Sequence, residues 1–438
     1  MKTLLAIALC SSALLAQSNR ASAAQAQSAP THLSLHCGAL FDGRGDSLHG
    51  NTTIEVTGDK ITAVRDGFSG DGADVIDLSR ETCLPGLIDV HTHVLLQGDI
   101  TAADYDVQLL KQSIPYRTIL ATRNAHDVLM EGFTAIRDLE TEGAEYADVA
   151  VRDAINKGVI PGPRMKVATR ALDVTGSYPL LGYAPAIEPL LPKGVQECDG
   201  PDECRKAVRE QISNGADWIK IYVDRGYRIS PQDPKVLDDI PTFTIDELKA
   251  MVDEAHRQRH PVAVHAMAVN GVHNAVQAGV DSVEHGDYIA PEDLQAMKQK
   301  GIWYVPTLYV GEYVAQGRAA EGAKVWVDMI NINQETFRRA MQAGVKIAFG
   351  TDIGGFDWKI DPAIQFETMV NDGMPAAQAI RAATSDAAQL LRMSDEIGTV
   401  EQGKKADIVA VPGNPLQDVK LLQQVNFVVK DGTVYRRP

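Results

Sequence analysis

Eight short apolar runs recur through the middle of the chain: Leu87–His93, Phe133–Leu139, Met165–Arg170, Trp218–Val223, Val262–His265, Ser282–His285, Trp303–Leu308 and Lys346–Thr351. Each has the length of a strand. Several are separated by stretches with apolar residues at helical spacing, such as Ser113–Met130, Ile245–Arg257 and Val325–Ala343. Eight alternating strand–helix units predict an α/β fold, a (β/α)8 barrel over residues 85–392. The two ends are patterned differently. Leu33–Cys37, Thr53–Val56, Lys60–Val64 and Val75–Leu78 are short alternating runs between turn signals, and Ala406–Val411 and Phe427–Gly432 return to that style. These runs predict a small β-sandwich built from residues 25–84 and 393–438, with 25–30 as an unstructured lead.

The polar residues of the barrel runs cluster toward their C-terminal ends, where a parallel barrel gathers an active site. His91 and His93 close the first run, and period-2 alternation points both imidazoles the same way. Alone, such a pair is as readily two half-exposed strand residues as a metal site. Lys220 in the fourth run, His265 ending the fifth, His285 ending the sixth and Asp352 just past the eighth tip the balance toward a divalent metal, with zinc suited to imidazole ligands. In the fourth run Trp218, Lys220 and Tyr222 share one face, while Ile219 and Ile221 face the surrounding helices. His126, His256, His260 and His273 lie in helical stretches or at their ends and read as surface or packing residues. Arg137-Asp138 reads either as a salt bridge at the barrel mouth or with Asp138 orienting a ligand histidine.

The N-terminus changes the picture. Lys2 precedes a mostly apolar run, Leu4–Ala16, and Ala21-Ser22-Ala23 follows as a small-residue cleavage motif, so residues 1–24 predict a signal peptide and an exported protein, periplasmic or secreted. Leu9 before Cys10 argues against a lipoprotein signal. Without that segment the charge is 40 − 58 = −18, a poor match for nucleic acid or an anionic membrane. Four cysteines remain in an oxidising setting. Cys198 and Cys204 bracket Asp-Gly-Pro-Asp-Glu and predict a local disulfide, and Cys37 and Cys83 offer a second bridge; four free buried thiols are the alternative.

Over residues 31–438 the chain resembles the amidohydrolase superfamily. The resemblance is carried by Pro85–His93, Gly132–Leu139, Gly162-Pro-Arg164, Gly215–Lys220, Val264-His-Ala266, Ala278–Gly286, Phe349–Asp352 and Gly403–Val409. Within it the chain is similar to the Xaa-Pro and Xaa-Arg/Lys dipeptidase branch, which also resembles imidazolonepropionase, and to secreted bacterial amidohydrolases that cleave ochratoxin. The resemblance implies two divalent metal ions, His91 and His93 on the first, and His265 and His285 on the second. It implies that Lys220 is carboxylated by carbon dioxide to a carbamate joining the metals, and that Asp352 is a metal-side general acid/base. Burial beside cations favours the neutral amine that carboxylation needs. Tyr222 is a candidate oxyanion donor, or simply a packing residue. A homo-oligomer, of octamer size in the family, is implied by the resemblance alone.

Departures from the family pattern fall in the loops that meet substrate. Relatives carry Gly-Gly where Glu140-Thr141 stand, Thr-Gly-Gly-His where this chain has Thr175-Gly-Ser-Tyr178, and a Ser-Gly-Gly type of loop where Tyr222–Arg228 stands. Arg170, Tyr178, Tyr222, Arg225 and Arg228 are therefore candidate partners for a substrate carboxylate, with Leu180, Leu181 and Tyr183 as apolar surface. The expected activity is amide hydrolysis of a small dipeptide-like or N-acyl amino acid substrate, ochratoxin-type N-acyl phenylalanines included. A cyclic-amide hydrolase, a phosphoester hydrolase and a catalytically inactive binding barrel are the alternatives.

Overall fold

The structure is a computed structural model that describes residues 32–69, 74–180 and 182–438; the expected signal peptide, the 25–30 lead and Leu181 lie outside the described residues. Seven of the eight barrel runs form strands: Leu87–Thr92, Phe133–Asp138, Arg164–Val167, Ile219–Tyr222, Val262–Ala266, Ser282–His285 and Trp303–Val305. Neighbours pair in parallel, as Ala135 with Arg164, Ile219 with Val262, Ala263 with Ser282 and Ser282 with Trp303. The third and fourth strands are joined where Asp217 and Trp218 N–H groups both donate to the Val167 carbonyl.

The eighth run is not a regular strand, yet it closes the ring. Tyr304 donates to the Lys346 carbonyl and Ala348 to that of Tyr304, while on the other side Val90 donates to Phe349 and Asp352 to His91. Side-chain bonding competes with the ladder here: Thr351 N–H and hydroxyl both donate to the Asp89 carboxylate. The approach is also tight. A Cβ on Gly350 would lie 2.4 Å from Val305 Cγ1 and 2.9 Å from His91 Cβ, so only glycine lets the segment reach the first strand.

Alternation sorts the fourth strand as its sequence predicts: Ile219 and Ile221 pack with the helix-facing core, and Trp218 packs with the barrel interior. The helices follow their caps. Ile245–Arg257 starts at a Thr244/Glu247 capping box, and Val325–Ala343 stops at left-handed Gly344. Two insertions at the barrel mouth were not evident from periodicity: a hairpin of Asp224–Ile229 with Leu237–Pro241, and a long excursion between the third and fourth strands, closed by Gln196–Glu197.

Both chain ends meet in one seven-stranded ladder, in the order Thr433–Arg436, Phe427–Lys430, Ile408–Pro412, Asp74–Pro85, His32–Leu40, Thr52–Thr57, Lys60–Asp66. The ladder folds over its own apolar face, and Ile61 exchanges backbone hydrogen bonds with Gly403 and Lys404 beyond the opposite half. Cys37 and Cys83 are joined in its buried core, and Cys198 is joined to Cys204 in the first turn of helix Pro201–Ser213. Arg164 ties this unit to the barrel through Asp407 at 2.7 Å and Asp431 at 2.6 Å. Among the described residues no helix is long and apolar enough to cross a membrane.

Candidate active site

Three donors converge where the first strand meets the closing segment. His91 Nε2 and His93 Nε2 are 3.2 Å apart, and Asp352 Oδ1 lies 3.0 Å from His93 Nε2 and 3.5 Å from His91 Nε2. Ligands about 2.0–2.1 Å from a tetrahedral cation stand about 3.3 Å from one another, so this triangle has the edge length a divalent ion needs. His285 and His265 continue the row, with ring centroids 5.0 Å from His91 to His285 and 4.5 Å from His285 to His265. Lys220 is buried beside them, with its Nζ 5.3 Å from the Tyr222 ring centre. All six candidate metal residues thus share one rim. The backbone is strained to bring them there: His285 has φ 69°, Asp352 φ 63° and Thr307 φ 42°, left-handed values that side chains rarely adopt.

The imidazoles are oriented from behind. His91 Nδ1 bonds Glu284 Oε2 at 2.9 Å, His285 Nδ1 bonds Thr307 Oγ1 at 2.8 Å, and His265 Nε2 bonds the Tyr227 hydroxyl at 2.8 Å. The first two leave Nε2 free to face the centre. His93 Nδ1 is buried with no hydrogen-bond partner among the described residues. Burial, reinforced by Lys220, holds His91 down to about 4, and burial with neighbouring cations holds His265 and His285 well below the usual range. Neutral imidazole is the ligating form. Burial also works against a proton on His93, but Asp352 overrides it and lifts that ring to about 9. Burial alone would raise Asp352; His91, His93 and His285 instead hold its carboxylate far below the ordinary range. Lys220 is pushed down, chiefly by burial. Four imidazoles, an anionic carboxylate and a buried amine on one rim form a donor set that fits divalent metal ions.

Arg137 and Asp138 do not pair with each other. Arg137 reaches across the barrel to Glu284 at 2.9 Å and lies 4.3 Å over the Trp218 ring centre. Asp138 accepts the Val94 N–H at 2.7 Å and so shapes the turn after His93. Nothing in the apolar pattern singles out Glu284, which stands directly before His285 in its strand.

A cavity of ≈ 270 Å³ opens over the rim, lined by His93, Lys220, Tyr222, His265, His285 and Asp352, and by Tyr178, Arg225, Tyr227, Arg318, Trp326 and Glu142. It is sized for a small molecule. Of the arginines expected there, only Arg225 lines it. Arg170 instead donates to the Val195 carbonyl and faces Glu145, and Arg228 pairs with Asp238 on the outer side of the hairpin. These two correct the expectation: loop residues lack a period from which direction is read. Arg318, stacked 4.0 Å over Trp326, supplies a second cavity cation. Leu180 and Tyr183 pack with Leu96 and Tyr105 behind Tyr178, supporting the loop rather than the cavity wall.

An Amidohydrolase family model matches residues 82–436. Ochratoxinase from Aspergillus niger is 32% identical over 437 residues, covering 92% of this chain and 86% of that protein. A Xaa-Pro dipeptidase crystallised with methionine in its active site is 36% identical, with a TM-score of 0.81, covering 93% of this chain and 100% of the other. A prolidase complexed with N-methylphosphonate-L-proline is 28% identical, with a TM-score of 0.79 and the same two coverages. The chain belongs to the amidohydrolase family, whose members generally use divalent metal ions, and is a hydrolase acting on amide bonds.

Proposed function

We propose that the protein is a dinuclear metal-dependent hydrolase that releases a C-terminal amino acid from dipeptide-like or N-acyl amino acid substrates, ochratoxin-type N-acyl phenylalanines among them. The observation that carries this reading is the donor rim beneath a cavity that also holds Arg225 and Arg318. An arginine grips a carboxylate with two charge-assisted hydrogen bonds and so decides which bond faces the rim. The relatives support the class: one is an ochratoxinase, one a Xaa-Pro dipeptidase, and one a prolidase holding a proline-derived phosphonate.

His91 and His93 would hold one ion and His265 and His285 the other, with Lys220, as its carbamate, between them. Zinc is the metal this donor set suits. When bound, such ions supply Lewis-acid activation of water and of the amide carbonyl. Asp352, kept anionic, accepts the proton of the attacking water and returns it to the departing nitrogen. Tyr222 lines the cavity, and burial keeps its phenol protonated, so it is available to donate to the carbonyl oxygen as charge develops.

The test is a hydrolysis screen of metal-reconstituted enzyme over N-acyl amino acids, dipeptides, their C-terminal amides, a cyclic amide and an aryl phosphotriester. Free acids should be cleaved far faster than their amides. Equal rates for acid and amide, or turnover of the cyclic amide or phosphotriester alone, would refute the reading.

A further inference from the structure

The hairpin of Asp224–Ile229 with Leu237–Pro241 starts just past the barrel strand that carries Lys220, and one of its side chains turns back to the rim. The Tyr227 hydroxyl lies 2.8 Å from His265 Nε2, 3.0 Å from Asp224 Oδ1 and 3.2 Å from the Asp224 carbonyl oxygen. Tyr227 also lines the cavity, and its ring meets Trp326 edge to face at 6.2 Å. Asp224 is itself held in place. Its Oδ2 accepts the N–H groups of Met267 and Ala268 at 2.7 and 2.9 Å, where helix Val269–Ala278 begins. A Cβ on Gly271 would lie 2.5 Å from that oxygen, so glycine there leaves room for the carboxylate.

A phenol has one hydrogen to donate. Two acceptor oxygens of Asp224 face the hydroxyl, so its hydrogen goes to them and its oxygen is left to accept from His265. Burial and then Asp239 raise the Asp224 carboxyl, the Ala268 and Met267 N–H groups oppose them, and the carbonyl accepts in either state. A neutral imidazole with its hydrogen on Nε2 carries its free lone pair on Nδ1. His265 is thus turned the opposite way from His91 and His285, which are bonded behind through Nδ1. Those two lean on Glu284 and Thr307, at the barrel strands, whereas His265 leans on the hairpin that also brings Arg225 to the cavity. We infer that Tyr227 is the positioning residue of His265: it keeps the ring hydrogen on Nε2 and leaves Nδ1 to the second ion, so that a hairpin residue tunes the affinity of that site alone. This rests on the two-metal reading above.

The test loads wild type and Tyr227→Phe with zinc and titrates both with a chromophoric chelator. One ion of Tyr227→Phe should bind roughly tenfold to a hundredfold more weakly than in wild type, and the other should be unmoved. Trp326→Phe, which keeps the hydroxyl and loosens the packing of the hairpin, should hold both ions as wild type does. Nitrogen NMR spectra of isotope-labelled, zinc-loaded wild type should place the His265 hydrogen on Nε2, with the signal assigned by its loss in His265→Gln. Two ions held by Tyr227→Phe as tightly as by wild type would overturn the inference. So would equal weakening of both ions, a loss in Trp326→Phe as large as in Tyr227→Phe, or a hydrogen on Nδ1; each of these leaves the two-metal reading standing. Wild type that takes up fewer than two ions would overturn both. Thermal melts check folding, and if Tyr227→Phe does not fold, the position of the His265 hydrogen decides.

Discussion

Replacing Glu284 with glutamine removes one charge from the interior of the barrel and changes little else in shape. Glu284 and Arg137 are both fully buried, 2.9 Å apart, and the same carboxylate accepts from Ser282 and from the His91 ring. Burial would raise this carboxyl, but Arg137 and then His91 hold it at about 2. Breaking a buried ion pair from one side costs about 3–5 kcal/mol, because the remaining charge has no solvent. Glutamine keeps one acceptor for Arg137 or His91 but not for both, so the lower end, about 3 kcal/mol, is expected for the metal-free protein. Freeing the back of His91 should also weaken metal binding by about tenfold to a hundredfold. The folded pKa lies below the ordinary one, so this stabilisation is complete above the ordinary value and is lost as pH falls toward 2. The difference between wild type and Glu284→Gln should therefore be flat from about pH 5 upward and shrink in acid. Urea denaturation of both metal-free proteins measures the first quantity, and competition with a chromophoric chelator the second. A loss under about 1 kcal/mol with unchanged metal affinity would refute the account of Glu284 as the support of His91.

Protein purified without chelators should contain close to two divalent ions per chain, and Lys220→Ala should lose occupancy that short carboxylic acids partly restore; two tightly held ions in Lys220→Ala would rule out the bridging role. Removing the Cys37–Cys83 link, which closes 46 residues, should cost about 4 kcal/mol, against about 2 kcal/mol for Cys198–Cys204, which closes 6. The reverse order in urea denaturation would contradict that ranking. Glu131, just past helix Ile114–Met130, is lifted to about 9 by burial and then by Asp361 and Asp127. Its folded pKa lies above the ordinary one, so stability should fall as pH rises between the two, and Glu131→Gln should flatten that slope by on the order of 1 kcal/mol. Melting curves with equal slopes would dismiss it. If residues 1–24 direct export, N-terminal sequencing of protein recovered from outside the cytoplasm should begin at Ala24 or Gln25; retention of Met1 would refute the signal peptide.

What was legible from sequence is what strand periodicity controls. His265 shares a face with Ala263 in a parallel strand, and Lys220 shares one with Trp218, so their direction follows from counting by two. His285 shows where counting fails. Its alternation partner Val283 packs against the helices, yet the His285 ring meets His91 and His265 inside the barrel, because a backbone φ of 69° at the strand end turns it around. Both Glu284 and His285 thereby reach the interior, one behind the rim and one on it. No pattern of apolar residues encodes such a turn. The loops carry even less directional signal: Arg225 and Arg228 stand three residues apart in one hairpin strand, one lining the cavity and the other on Asp238, and a register shift between them breaks the alternation from which direction is read. Glu140 stands out in the sequence as a departure from a glycine pattern, but only the fold shows that its side chain is fully buried. The candidate metal ligands thus stand at strand ends, where counting by two finds most of them, while much of the rest of the cavity lining comes from loops, where no period gives direction.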